Sequence, residues 1–437
     1  MRDAFEQFIH DQLSFLKDKR LLLAVSGGID SVVLLHLCHE LKLNLAVAHC
    51  NFKLRPHESD KDEQFVLELG KQLEVEVFTQ SFDIPAYTKT HKKSVQMAAR
   101  ELRYDWFKEL SDHLGFDYIL TAHHADDNLE TFIINFMRGT GINGLTGIPF
   151  INNNTVRPLL PFSREEITEL ARSENWDWRE DASNATRKYL RNRLRHEVIP
   201  VLKEINPSLL SSFKDTLKHL NDTADIVEES LNAVAKRAIT HIDDHEVHYK
   251  ISEFKKVNNP KAYLHEMFKS YGFREWQDVV DLLDAQSGKL VLSDTHRLIK
   301  HRDVLILTDR KITEQQSYSI SESDLNTEFP LGKIVLKWVA KKEHGDQNSI
   351  FINKTLLEFP LTLRIWEPGD FFIPSGMHGK KKLSKYLKDE KYSLTEKERT
   401  WVLCSGKEIV WVVGKRGDQR FMASESTESV LKIKLIY

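Results

Sequence analysis

Cysteine is scarce in this 437-residue chain: Cys38, Cys50 and Cys404 lie far apart and form no CxxC pair. That excludes a disulfide framework, a dithiol redox pair and a cysteine-rich zinc site, and it fits a reducing, cytoplasmic setting. Long apolar runs are missing too, since none approaches the roughly 18 residues of a membrane span. The opening MRDAFEQFIHDQLSFLKDKR mixes charges into an amphipathic pattern and lacks a signal-peptide core. No membrane partner is expected. The chain has no excess of positive charge, its formal net charge being −3. Any nucleic-acid contact must therefore come from local basic patches. Internal repeats and low-complexity segments are absent. What remains is an ordinary globular composition, 41% hydrophobic and 29% charged, long enough for about three domains.

One stretch organises the rest, LLLAVSGGIDSVVLLHL from Leu21 to Leu37. Leu21 to Val25 form the continuous apolar run of a strand buried on both faces. Ser26, Gly27 and Gly28 break it, and Ile29, Asp30 and Ser31 lead into an apolar helix. Strand, glycine turn and helix start together make an anion site. Glycines let backbone N–H groups converge, and the helix N-terminus adds free donors and partial positive charge. Asp30, an oxygen donor beside a polyphosphate, is placed to hold Mg2+. No lysine lies in the loop and no GxxxxGK[ST] pattern surrounds it, so it is not a Walker A loop.

Further on, strands are expected at Leu43–His49, Val75–Thr79 and Asp117–Thr121, alternating with helices over 58–73 and Val95–His113. This alternation predicts an α/β fold built on an N-terminal doubly wound parallel sheet. His49, Asn51 and Arg55 follow the second strand, where open α/β sheets bind ligands. Arg100 and Arg103 are neighbours on one helix face. A helix beginning near Ala125 places Asp127 three residues, and Asp126 four residues, before Glu130, so these carboxylates share a face. His123 and His124 beside them also permit a metal-cluster reading, but no HxxxH or cysteine partner supports zinc. The glycine-dense RGTGINGLTG, Arg138 to Gly147, reads as a loop over the site. Ser163 with Glu166 forms a capping box. Arg187, Lys188, Arg191, Arg193 and Arg195 concentrate positive charge near Tyr189, which suits stacking on a base.

The expected domains are 1–205, a mainly helical middle domain over 206–310 with short strands near 289–292 and 303–307, and a small α+β domain over 325–437, with Asp309–Thr327 as a linker. In the last domain Lys380, Lys381, Lys382, Lys385 and Lys388 surround an apolar face of Leu383, Tyr386 and Leu387. That combination of basic and aromatic residues suits an RNA backbone.

SGGIDS resembles the pyrophosphate loop of the N-type ATP pyrophosphatases, which carry an adenine nucleotide alpha hydrolase-like fold. ARELRYDWF, TAHHADDNLET, RGTGINGLTGI, RPLL, WREDASN and GDFFIPSGMHGKKKLSKYLKD, in that order, extend the likeness to the bacterial tRNA(Ile)-lysidine synthetases over nearly the whole chain. The resemblance implies a carbon–nitrogen ligase. ATP adenylates the wobble cytidine 2-carbonyl of the isoleucine tRNA with a CAU anticodon, and the side-chain amine of L-lysine then displaces AMP. It further implies ATP and Mg2+ at Ser26, Gly27, Gly28, Ile29, Asp30 and Ser31. Arg103, Asp127 and Glu130 match positions that recognise lysine and hold the activated intermediate. Asn184 and Arg195 match polar positions near the target base. The family leaves room for a homodimer. The segment His49-Cys50-Asn51-Phe52 departs from the commonest family form, in which a second histidine and a glycine are frequent. Three other readings stay open: a related tRNA 2-thiolase, which needs reactive cysteines; a small-molecule amidating synthetase, which needs no basic C-terminal patches; and a non-catalytic tRNA-binding protein with a relic nucleotide fold, against which the intact loop with Asp30 speaks.

Overall fold

A computed structural model describes residues 1–54, 56–180, 190–310, 317–341 and 348–437. The chain divides into two units, Met1–Val227 and Glu228–Tyr437, and the division falls inside the helix Leu209–Ala238.

The N-terminal unit begins with α1 (Arg2–Gln12), β1 (Arg20–Ala24), α2 (Ile29–Glu40), β2 (Asn44–Asn51), α3 (Pro56–Gln72) and β3 (Glu76–Ser81). It continues with α4 (Ile84–His91), α5 (Val95–Leu114), β4 (Tyr118–Leu120), α6 (Ala125–Arg138), α7 (Ile142–Leu145), β5 (Ile151–Asn152), β6 (Thr155–Val156) and α8 (Arg164–Ser173). The strands form one sheet in the order β3-β2-β1-β4-β6-β5. All neighbours in it are parallel except β5 and β6. Sequence order reverses between β1 and β4, which makes the ends of those strands a topological switch point. Leu21 and Leu23 of β1 bury into one apolar cluster with α2, whereas Leu22 buries into another with Trp106 and Phe107 of α5. Burial on both faces explains why β1 reads as an unbroken apolar run.

The doubly wound sheet follows the expectation, with two additions. The hairpin β5–β6 is only two residues per strand, too short to leave a period in the sequence. Part of the glycine-dense segment folds as the single turn α7, and side-chain hydrogen bonds tie the segment down. Asn128 of α6 accepts from Ile148 N at 2.7 Å, Asn135 donates to Gly144 O at 2.8 Å, and Asn221 donates to Thr146 O at 3.2 Å.

In the second unit the helices Pro260–Phe268 and Trp276–Asp281 pack with Phe254, Leu298 and Leu305 in one apolar cluster. This helical middle region also carries a five-stranded antiparallel sheet. Two of its strands, Leu290–Leu292 and Val304–Asp309, match short runs expected from the sequence. His296–His301 was hidden because buried Arg297 and Lys300 interrupt its apolar pattern. The C-terminal region is strand-rich, with two four-stranded antiparallel sheets whose residues meet around Trp401, Trp411 and Ile352. The expected linker Asp309–Thr327 instead contributes Ser317–Ile320 and the start of Asn326–Phe329 to these sheets.

Candidate active site

The loop after β1 is shaped by its own side chains. Gly27 has φ +89°, a conformation that L side chains rarely adopt. Gly28 then caps α2 in extended conformation. Ser31 Oγ donates to Gly28 O at 2.8 Å and accepts from Ser26 N at 3.1 Å, while Ser26 Oγ lies 3.3 Å from Gly28 N. Two serines thus fold the turn back on the helix start, whose leading amides have no intrahelical acceptor. Arg179 N donates to Gly27 O at 2.9 Å from the far side.

Beside this loop lies a cavity of about 240 Å³ at the switch point, lined among others by Ser26, Asp30, Ser31, Arg103, His123 and Asp127. Residues separated by nearly a hundred positions are therefore brought to one place. Arg103 lies over the Phe52 ring, 5.3 Å from its centre. His49 Nδ1 is 2.9 Å from Val25 O and donates to it. Burial lowers the His49 pKa, so the neutral ring props the end of β1. Asn51 donates to Asp60 and Glu63 at 3.0 and 2.7 Å, tying β2 to α3. Both residues have structural work, in a segment that departs from the commonest family form. Arg55 falls outside the described residues.

The carboxylates of α6 split between two places. Asp127 lines the first cavity, whereas Glu130 and Arg195 line a neighbouring one of about 330 Å³ with His124 and Lys203. Arg195 spans them. Its Nε is 2.6 Å from Glu130 Oε1 and its Nη2 2.8 Å from Asp127 Oδ1. Arg191 adds a second bridge, Nε to Glu130 Oε2 at 2.6 Å and Nη2 to Asp127 Oδ1 at 3.3 Å. Glu130 is fully buried, so it sits under two guanidinium groups. Arg195 belongs to a π-helical turn, Leu194–Val198, a feature frequent at functional sites. Asp126 points elsewhere: Lys203 pairs with it, and it accepts from Arg164 N at 2.8 Å.

Charges in this cluster set one another. Burial pushes the Asp127 carboxyl up, but His124, Arg191, His123 and Arg195 outweigh it and hold its pKa low. Burial also opposes the His124 cation, yet Asp127, Asp126 and Asp30 hold its pKa above the ordinary value. His123 differs: burial takes it down to about 4, leaving a neutral ring that faces the first cavity.

Asp30 can be tested as a magnesium ligand. One of its oxygens, Oδ1, is buried, and it faces only cations, the Arg164 guanidinium and, at 3.8 Å, His124 Nε2. Asp127 contributes a second carboxylate to the same cavity, and hard oxygen donors suit Mg2+. These residues fit a bound divalent ion, although the Arg164 guanidinium now contacts Asp30. The thiols offer no alternative chemistry. Cys38, Cys50 and Cys404 are all free. Burial pushes Cys50 up to about 12 and Cys404 up to about 11, and raises Cys38 as well.

Of the residues expected from the sequence, Ser26, Asp30, Ser31, Arg103 and Asp127 share one cavity, while Glu130 and Arg195 stand directly behind Asp127. Asn184, Arg187, Lys188 and Tyr189 fall outside the described residues. Arg191, expected only as part of a basic run, proves to be a second partner of both carboxylates. Its signal was its spacing: Arg191 and Arg195, four apart, complement Asp127 and Glu130, three apart. His123 and Arg164 carried no comparable signal.

A PP-loop domain model matches residues 1–202, a TilS substrate binding domain model residues 242–311, and a TilS substrate C-terminal domain model residues 361–434. A tRNA(Ile)-lysidine synthase of Parabacteroides distasonis is 39% identical, with 96% of each chain covered. One from Bacteroides thetaiotaomicron is 36% identical over 98% of each. Another, from Porphyromonas gingivalis, is 35% identical over 94% of this chain and 93% of its own. With three domain matches in order and relatives aligned end to end, the chain belongs to the tRNA(Ile)-lysidine synthase family.

Proposed function

We propose that this protein joins L-lysine to the wobble cytidine of the isoleucine tRNA bearing a CAU anticodon. The observation that carries the proposal is the single cavity in which a phosphate-binding loop faces Arg103 and Asp127. ATP would lie with its phosphates on Ser26, Gly27, Gly28, Ile29, Asp30 and Ser31. The cytidine 2-carbonyl oxygen attacks the α-phosphorus, the bond to the β-phosphate breaks, and pyrophosphate leaves. The lysine ε-nitrogen, as the uncharged amine, then attacks C2 and gives up a proton to solvent, the C2–O bond breaks, and AMP departs with that oxygen. A carbonyl oxygen alone is a very poor leaving group, and adenylation removes that barrier.

This chain's residues supply position and charge. The loop amides hold the departing pyrophosphate, and Mg2+ on Asp30 would neutralise part of its charge. Asp127 attracts the ammonium of the incoming lysine. Because His124 and the two arginines keep it ionised, it serves as an electrostatic anchor rather than a base near neutral pH. Glu130 acts from behind by fixing Arg191 and Arg195. Asn184 and Arg195 are proposed to shape the pocket for the target base. The basic segment around Lys380–Lys382 and the middle region are proposed to grip the rest of the tRNA, with domains at 1–205, 206–310 and 325–437. No helix among the described residues is long and apolar enough to cross a membrane. A cytoplasmic location and a homodimer belong to the same proposal, the second to be checked by light scattering.

The deciding experiment is incubation with labelled lysine, ATP and tRNA transcripts, followed by nucleoside analysis. Label in a lysine-modified cytidine, dependent on ATP and on the CAU anticodon, is the expected result. ATP cleavage without tRNA would favour a small-molecule synthetase instead.

A further inference from the structure

A second cavity, open and of about 600 Å³, shares Tyr104 with the cavity of the phosphate loop. Arg157 forms part of its lining and is only 4% exposed. The Arg157 Nη1 donates to Pro149 O at 2.8 Å, whereas its Nε has no acceptor. Among the described residues no carboxylate forms an ion pair with it. A buried guanidinium without a counter-charge is costly. Burial pushes its pKa down, Arg100 adds to the effect, and the Tyr104 hydroxyl opposes it.

Arg100, Tyr104 and Lys108 fall four residues apart on α5, which makes a single stripe along the helix. Arg100 lies over the Tyr104 ring, 4.9 Å from its centre, and has no ion pair among the described residues. Lys93 also lines the cavity but is taken up by Glu101. Asp105 is the remaining carboxylate, so the lining keeps an excess of positive charge. The β5–β6 turn completes it with the amides of Asn152, Asn153 and Asn154. Guanidinium, aromatic ring and amides together suit a single-stranded RNA backbone and its neighbouring base.

We infer that this cavity holds the phosphodiester next to the nucleotide that enters the adjoining cavity, with Arg100 and Lys108 meeting the phosphate and Arg157 supplying charge beneath. The inference rests on the proposed function for the identity of the RNA. Tyr104 stands between the two cavities, so one strand can place a base on one side of it and a phosphate on the other.

The test is binding of the tRNA transcript to the full-length protein by fluorescence anisotropy, without ATP or lysine, over a range of salt. A second transcript carries a neutral methylphosphonate on either side of the wobble nucleotide. The variant is Arg100→Gln with Lys108→Gln, both exposed, and thermal melting checks that it folds. Removing the charge at that linkage should weaken wild-type binding about fivefold to tenfold. The variant should bind ordinary RNA more weakly by about the same factor, show a shallower salt slope, and be indifferent to the neutral linkage. Wild-type affinity in the variant overturns the inference. So does a persisting linkage penalty, or a raised KM for lysine with RNA binding intact. Should the wild type make no lysidine yet show this binding pattern, the proposed reaction fails and the phosphate site stands. Lysidine formation without the pattern has the opposite meaning.

Discussion

The phosphate loop and the carboxylate–arginine cluster sit side by side but are built in opposite ways. The loop needs six consecutive residues, and its shape comes from a positive-φ glycine and two serines. The cluster needs chain segments far apart: Arg191 and Arg195 reach Glu130 across 61 and 65 residues. A locally built element can fail in function while the fold survives. An element assembled from distant segments holds the fold as well, so damage to it should appear in stability and in chemistry together.

The sharpest way to break this contrast is Asp30→Ala. It should cut tRNA-dependent pyrophosphate release about a thousandfold, by removing the carboxylate that would hold Mg2+ against the departing group. The melting temperature and tRNA affinity should stay near wild type; retained pyrophosphate release would remove Asp30 from the site. Glu130→Gln should act the other way. Taking the buried carboxylate from two guanidinium groups should lower stability by about 3 kcal/mol, read by urea denaturation, with activity lost alongside. A variant as stable as wild type would show that the cluster is not structural.

Smaller effects sharpen the comparison. Gly27→Ala forces a side chain into left-handed backbone at about 1–2 kcal/mol. The expected outcome is a rise of about tenfold in the KM for ATP, with the KM for lysine little changed. Neutralising Lys380, Lys381 and Lys382 should flatten the salt dependence of tRNA binding, by roughly 0.7–0.9 in slope for each phosphate that is no longer neutralised. Lys381 already pairs with Asp389 at 2.9 Å, so it should contribute less to that change than its two neighbours.

The least dramatic test is pH. The Asp127 pKa is lowered in the fold from 3.8, so its contribution is complete above that value and fades as pH falls through the folded pKa. The His124 pKa is raised from 6.5, so its contribution is complete below 6.5 and fades as pH rises through the folded pKa. Urea midpoints should decline at both ends, and His124→Asn should abolish the decline on the alkaline side only.

The same contrast explains what the sequence could tell. Leu21 to Ser31 reveals its strand, turn and helix because every determinant is local. Asp127 and Glu130 were visible as a shared helix face and Arg191 and Arg195 as part of a basic run, but their pairing was not, since contact across the chain needs the fold to bring the two segments together. Arg157 is a lone charge in the apolar stretch TVRPLLPF, and only the fold shows that it lies without a carboxylate. Of the middle sheet only the strands near 289–292 and 303–307 could be read, because the others are short and carry charged or histidine residues.

The state of the three thiols has a practical consequence. Cys38 and Cys404 are buried, and Cys50, half-buried in the cavity wall, is held protonated. Protonated thiols react poorly with alkylating agents and oxidants, so with Cys50 replaced by serine the chain is a quiet background for site-directed labelling. A single cysteine introduced on the exposed rim, for example in place of Met97, could carry a fluorophore that reports the arrival of an anticodon in real time.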